Sequence, residues 1–141
     1  MKIATSSFFT KLPPEFALIS ITRWAPHRLR EIPTLRELTP GDWFKSVDVD
    51  EYRQRYLEQL AKLDPPETVR RIQDLAGGRP AALLCWERPR DGVFCHRGYV
   101  SAWLFDQVGL QVPEYGLHGC GHQHPKLPGA ERQLPEQPSL L

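Results

Sequence analysis

Apolar positions along the chain change their period several times, and each change marks an element. Residues 2–6 are β-branched and partly alternating, which predicts a short first strand. Residues 16–21, Phe16-Ala17-Leu18-Ile19-Ser20-Ile21, run almost unbroken apolar after Pro13-Pro14, the pattern of a strand covered on both faces. Periodicity is lost over 24–44, where Pro26, Pro33 and Pro40 leave room only for short helical turns, such as 35–38. Over 50–63, Tyr52, Tyr56, Leu57, Leu60 and Leu63 fall on one helical face. A second helix starts at Asp64-Pro65-Pro66-Glu67, with a capping acid and proline in the first turn. It carries Val69, Ile72, Leu75 and Ala76 and stops at Gly77-Gly78. Residues 81–86 read as a buried strand. A third helix follows over 96–108, with Val100, Trp103, Leu104 and Val108 on one face and Gly109 as its stop. Residues 111–115 read as a last short strand.

Strands that alternate with helices, and are apolar on both faces, predict the α/β class. The expectation is a single compact three-layer domain over 1–116, with a small, mainly parallel sheet flanked by helices. Residues 117–141 are rich in Gly, His and Pro and read as a partly flexible C-terminal extension, frayed from 130 onward.

Composition narrows the class. A chain of 141 residues is one ordinary domain. Eighteen Lys and Arg against 17 Asp and Glu leave a formal charge of +1, which argues against a protein that coats a polyanion. A hydrophobic share of 40%, with four Trp and six Phe, supplies a real core. Three cysteines are an odd and sparse set for a disulfide framework. No apolar run has signal-peptide length or approaches the roughly 18 residues of a membrane span. The expectation is a soluble, cytoplasmic protein with reduced thiols, not associated with a membrane.

Candidate chemistry lies in three places. The first is Cys85-Trp86-Glu87 followed, after a loop, by Cys95-His96-Arg97. In a parallel sheet the loop from a strand's C-terminal end to the next helix borders the ligand crevice. Cys95 falls at the helix start, where free N–H groups and the dipole stabilise a thiolate. Arg97 in the first turn can hold an anion. Three plainer readings compete: Cys85 as a small buried hydrophobe, Glu87 as an ion-pair partner of Arg97, and His96 pointing away from Cys95 because consecutive helical residues diverge by about 100°.

The second place is His118-Gly119-Cys120-Gly121-His122-Gln123-His124. His118, Cys120, His122 and His124 are ligand types that zinc or copper selects, and the two glycines let a loop wrap; a solvated Gly/His loop is the rival reading. The third is the arginine loop with Arg23, Arg28, Arg30 and Arg36, led by Trp24 and followed by Trp43-Phe44. Arginines among aromatics can follow phosphates and stack bases, although they can equally pair with acids near residue 48.

A phosphatase-type phosphate loop is excluded by spacing, and a rhodanese-like loop, for which Cys85 and Arg90 enclose the right four residues, is disfavoured by the bulk of Trp86 and Pro89. Where a phosphatase loop needs its arginine the chain has Asp91 after Cys85 and Ser101 after Cys95. A Gly-rich dinucleotide fingerprint and a Gly-Lys-Ser/Thr phosphate loop are both missing from the sequence.

The pattern Leu83-Leu84-Cys85-x-Glu87, then Cys95-His96-Arg97 with Trp103-Leu104, resembles the family catalogued as domain of unknown function 488. The opening Lys2-Ile3-x-Thr5-Ser6 with Phe8, the Leu-Pro-Pro before Ile19-Ser20-Ile21, and Leu38-Thr39-Pro40 are similar as well. The resemblance spans residues 2–116. It implies a compact α/β fold, marks Cys85, Glu87, Cys95, His96 and Arg97, and carries no settled reaction. A branch of that family has Asp-Val-Arg after its second strand, whereas Ile21-Thr22-Arg23 keeps only the arginine.

The functional expectation is a small domain with a thiol- and arginine-bearing anion pocket, acting on a nucleotide or nucleic-acid substrate. Its catalytic candidates are Cys95, Glu87 and His96; its anion-holding candidates are Arg97, Arg23, Arg28 and Arg30. The alternatives are a non-catalytic module for anions or nucleic acid, and a zinc or copper protein built on the C-terminal Cys/His loop.

Overall fold

Three short apolar segments pair into one sheet. In the computed structural model, which describes residues 2–133, β1 (Ile3–Ser7), β2 (Ala17–Ser20) and β3 (Ala81–Cys85) lie parallel in the order β1-β3-β2. The wholly apolar β3 takes the centre, with Ala81 opposite both Ile3 and Ala17. Parallel neighbours need long crossovers, and the helices supply them.

Each helix begins and ends where its local chemistry dictates. In α1 (Val49–Ala61) the Asp48 side chain accepts the Glu51 N–H, and in α2 (Pro65–Ala76) Asp64 does the same for Glu67. Gly77 then closes α2 at φ 60, and Gly109 closes α3 (His96–Val108) at φ 68, a backbone region that favours glycine. Alternate strand side chains separate two cores. Ile3, Ile19, Leu83 and Cys85 pack with residues of all three helices, including Tyr56, Ile72 and Val100. Ala4, Leu18, Ala82 and Leu84 face Phe8, Phe16, Leu29 and Ile32 on the other side. The α/β class and the parallel sheet are therefore as expected, and the layer opposite the α-helices is loop with one 3-10 turn, His27–Leu29.

Two elements differ from the sequence pattern. Residues 111–115 form only a single parallel bridge, Thr5 with Glu114, because Pro113 has no N–H to extend a ladder. Leu75 and Val108, expected on apolar faces, are exposed, whereas every residue from 96 to 102 is buried. The burial over 96–102 comes from the chain after residue 116: its 3-10 turn, Gly121–Gln123, and the buried His124, Lys126 and Leu127 lie against α3. Most of the stretch expected to fray, 134–141, lies outside the described residues. Among the described residues no helix is long and apolar enough to cross a membrane.

Candidate functional site

The C-terminal ends of β2 and β3 open onto a cleft of about 380 Å³, within the range of small-molecule sites. Thr22, Arg23 and Trp24 come from the end of β2; Trp86 and Glu87 follow β3; Cys95 and His96 open α3. Tyr52 of α1, with Phe44 and Lys45 of the 3-10 turn Asp42–Lys45, closes the remaining side. This is the crevice position expected of a parallel sheet. Cys95, His96, Glu87 and Arg23 do meet here.

At the inner wall of the cleft lie the Cys95 sulfur and the His96 imidazole, with the buried Cys85 thiol behind them. Cys85 Sγ stands 3.6 Å from His96 Nε2 and 4.0 Å from Nδ1, and Cys95 Sγ stands 3.6 Å from Nδ1. The expectation that His96 points away from Cys95 is corrected by the backbone. Cys95 is the N-cap, in extended conformation at φ −140 and ψ 148, so helical spacing does not govern the pair. His96 Nε2 lies 2.6 Å from the Ile21 carbonyl oxygen, so this nitrogen carries the proton and donates. Nδ1 faces the Cys95 sulfur, whereas the Cys85 sulfur lies nearer Nε2.

The electrostatics divide the two sulfurs. Burial pushes the Cys85 thiol well up, and neighbouring Cys95 adds to the effect. Burial also opposes ionisation of Cys95, but a hydrogen bond from Cys85 and the His96 and Arg97 charges hold it well below the usual thiol range. Cys95 is thus the thiolate of the pair and Cys85 the thiol. Burial, then the charge on Cys95, pushes the Glu87 carboxyl up to about 7. Tyr52 is raised above its ordinary range by burial and by the same thiols, so its phenol stays protonated.

Arg97 sits elsewhere than expected. It is fully buried, and its Nε and Nη2 donate to Glu114 Oε1 and Oε2 at 2.8 and 2.6 Å. Nη2 also donates to the backbone carbonyl of Glu87 at 2.7 Å. Its carboxylate partner is therefore Glu114, not Glu87, and both anion holding and a Glu87 ion pair are replaced by a fixed internal charge behind the thiols. Burial disfavours that charge, and the Cys95 and Glu114 charges outweigh the penalty. Glu114 accepts in addition from Thr5 Oγ1 at 2.7 Å, which is 2.7 Å from His124 Nε2. His124 Nδ1 accepts the Lys126 N–H at 3.0 Å, so Nε2 carries the proton toward Thr5. Burial and the Arg97 charge hold His124 neutral, its pKa lowered to about 3.

The remaining candidates lie apart from the cleft. Arg28 donates to the Phe8 carbonyl and Arg30 to the His27 carbonyl at 3.0 Å, and both line a separate depression beside Leu12 and Leu29 on the loop-covered side of the sheet. The four C-terminal metal candidates do not converge. His124 is committed to the buried network, His122 Nε2 lies 2.8 Å from the Asp106 carboxylate, His118 is exposed, and Cys120 is half-buried. The alternation that put four ligand types in one stretch also sends them to different sides as it crosses α3. Among the described residues the converging set of three metal-ligand types is Cys85, Cys95 and His96.

Several residues of the site have no motif to announce them. Tyr52 reads as helix core and Trp86 as the end of a strand, yet both line the cleft. Glu114 and Lys126 are single charges between apolar or proline neighbours, and that isolation is the only sequence trace of their burial. Lys126 Nζ donates to the Arg88 carbonyl at 2.7 Å and to Asp91 at 2.8 Å, and its backbone oxygen accepts the Cys95 N–H at 2.8 Å. It thereby ties the loop after β3 to the N-terminus of α3. Compared with protein-family models, curated proteins and solved structures, the chain finds no match in any of the three.

Proposed function

We infer that the protein is a thiol-dependent enzyme acting on a small anionic, aromatic substrate of the nucleotide class. The observation that carries this reading is the placement of the Cys95 sulfur: at the N-terminus of a 13-residue helix, on the wall of an open cleft, with Glu87 beside it. In this reading Cys95 is the nucleophile, and Glu87, titrating near neutrality, donates a proton to the leaving group and takes one back. His96 orients the Cys95 sulfur through Nδ1. Trp24, Trp86 and Phe44 offer faces to a planar ring, and Arg23 and Lys45 at the rim pair with its anionic group. Of the residues behind the resemblance to domain of unknown function 488, the five that it marks, Cys85, Glu87, Cys95, His96 and Arg97, lie at or directly behind this cleft, which supports membership of that family as part of the same proposal.

The test is labelling of chelator-treated protein with iodoacetamide, with and without added nucleoside monophosphates, read by peptide mass spectrometry. Cys95 is expected to react ahead of Cys120, and nucleotide is expected to slow it in the wild type but not in Arg23→Ala. Labelling confined to Cys120 overturns the thiol reading. Labelling of Cys95 that no nucleotide slows overturns the substrate class.

A further inference from the structure

We propose that Cys85, Cys95 and His96 form a binding site for one zinc ion, with the fourth coordination position open to the cleft. The proposal uses the same side chains as the thiol enzyme, but it stands on their geometry and donor chemistry alone.

The three donor atoms lie within 4.8 Å of one another. Zinc–sulfur bonds of about 2.3 Å and zinc–nitrogen bonds of about 2.0–2.1 Å place sulfur and nitrogen about 3.6 Å apart across a tetrahedron. The observed separations from His96 Nδ1 are 3.6 Å to Cys95 Sγ and 4.0 Å to Cys85 Sγ, and Cys85 Sγ is 3.6 Å from Nε2, so an ion seated on Nδ1 keeps Cys95 in place and requires the Cys85 side chain to turn toward that nitrogen. The imidazole is already oriented for the task. Its Nε2–H is held on the Ile21 carbonyl at 2.6 Å, the outer hydrogen bond that metal-bound histidines usually make, which leaves Nδ1 as the nitrogen that would ligate the ion once deprotonated. Two sulfurs and one imidazole are a soft set, suited to zinc and ill suited to magnesium or calcium.

The surroundings match this occupant. All three residues are buried, so the ion is shielded on the protein side. Two thiolates balance the charge of Zn²⁺, and the nearby Arg97 has its own carboxylate partner in Glu114. Only Cys95 and His96 of the three reach the cleft wall, which puts the vacant coordination position toward the cavity. Binding releases the thiol protons to solvent as the two Zn–S bonds form. While zinc is bound, the Cys95 sulfur is a ligand and cannot attack a substrate.

The experiment titrates the full chain, after chelator treatment, with cobalt(II) and then zinc(II). One cobalt per chain is expected, with thiolate-to-cobalt charge-transfer absorption that zinc abolishes by displacement. X-ray absorption of the zinc-loaded protein is expected to show two sulfurs and an imidazole nitrogen, a readout that needs no variant to fold. Cys85→Ser is expected to weaken uptake by at least about tenfold, and Cys120→Ser to leave it unchanged. Absence of stoichiometric uptake, a zinc shell without sulfur, or uptake lost in Cys120→Ser but kept in Cys85→Ser overturns the site. The two proposals fail separately. Uptake with an unreactive Cys95 in the metal-free protein removes the nucleophile and keeps the metal site, and a reactive Cys95 without uptake does the reverse.

Discussion

At the residue scale, the charge that matters most is one no solvent touches. Arg97 and Glu114 are both fully buried, and their two-pronged pairing fixes the cation behind Cys95. Removing one partner of such a pair strands the other, at a cost of about 3–5 kcal/mol. Glu114→Gln is therefore expected to lower the urea midpoint sharply, and Glu67→Gln, which breaks an exposed helix pair with Arg70, to leave it unchanged. Equal midpoints for the two variants would contradict the role given to Glu114. The residues of the site were legible in part. Cys95, Glu87 and Arg23 could be placed because a strand end and a helix start are local properties, whereas the direction of His96 turned on the extended N-cap backbone of Cys95. The partner of Arg97 could not, because Glu114 lies 17 positions away and its pairing depends on how the chain after Val112 meets β1.

At the element scale, the three helices and three strands follow from period and capping, and their observed bounds differ from the sequence reading by a few residues at most. What periodicity could not convey was the course of residues 117–133, where irregular backbone packs through glycine and buried polar groups instead of a repeating apolar face. Gly98 records the contact: a Cβ there would stand 2.7 Å from the Leu127 nitrogen and 2.8 Å from the Lys126 carbonyl carbon. Gly98→Ala suits a helix by propensity, yet backbone atoms on the far side cannot swing away as a side chain would. It is expected to destabilise the fold by about 1–3 kcal/mol and to increase hydrogen exchange at the Cys95 amide, which bonds to Lys126. Unchanged exchange there would mean that this segment does not hold the start of α3.

For the whole molecule, pH connects the buried network to stability. His124 is neutral in the fold, its pKa lowered to about 3 from 6.5, so the unfolded chain takes up the proton first on acidification. Its contribution is complete above 6.5 and is lost as pH falls toward about 3. Glu87, raised by burial, acts in the opposite sense within the wild type, so the readable quantity is a difference between proteins. The stability gap between wild type and His124→Gln is expected to narrow by about 1.4 kcal/mol per pH unit below 6.5. A gap independent of pH would show that His124 is not held neutral. The claim on which the function rests is that the Cys85 hydrogen bond, with His96 and Arg97, outweighs burial and makes Cys95 a thiolate at the cleft. It is tested most directly by the pH dependence of Cys95 alkylation in the metal-free protein, followed by peptide mass spectrometry. The expected profile has an apparent pKa well below the free-cysteine value of about 8.5, and a profile at or above that value, or a Cys95 that does not react, would contradict it.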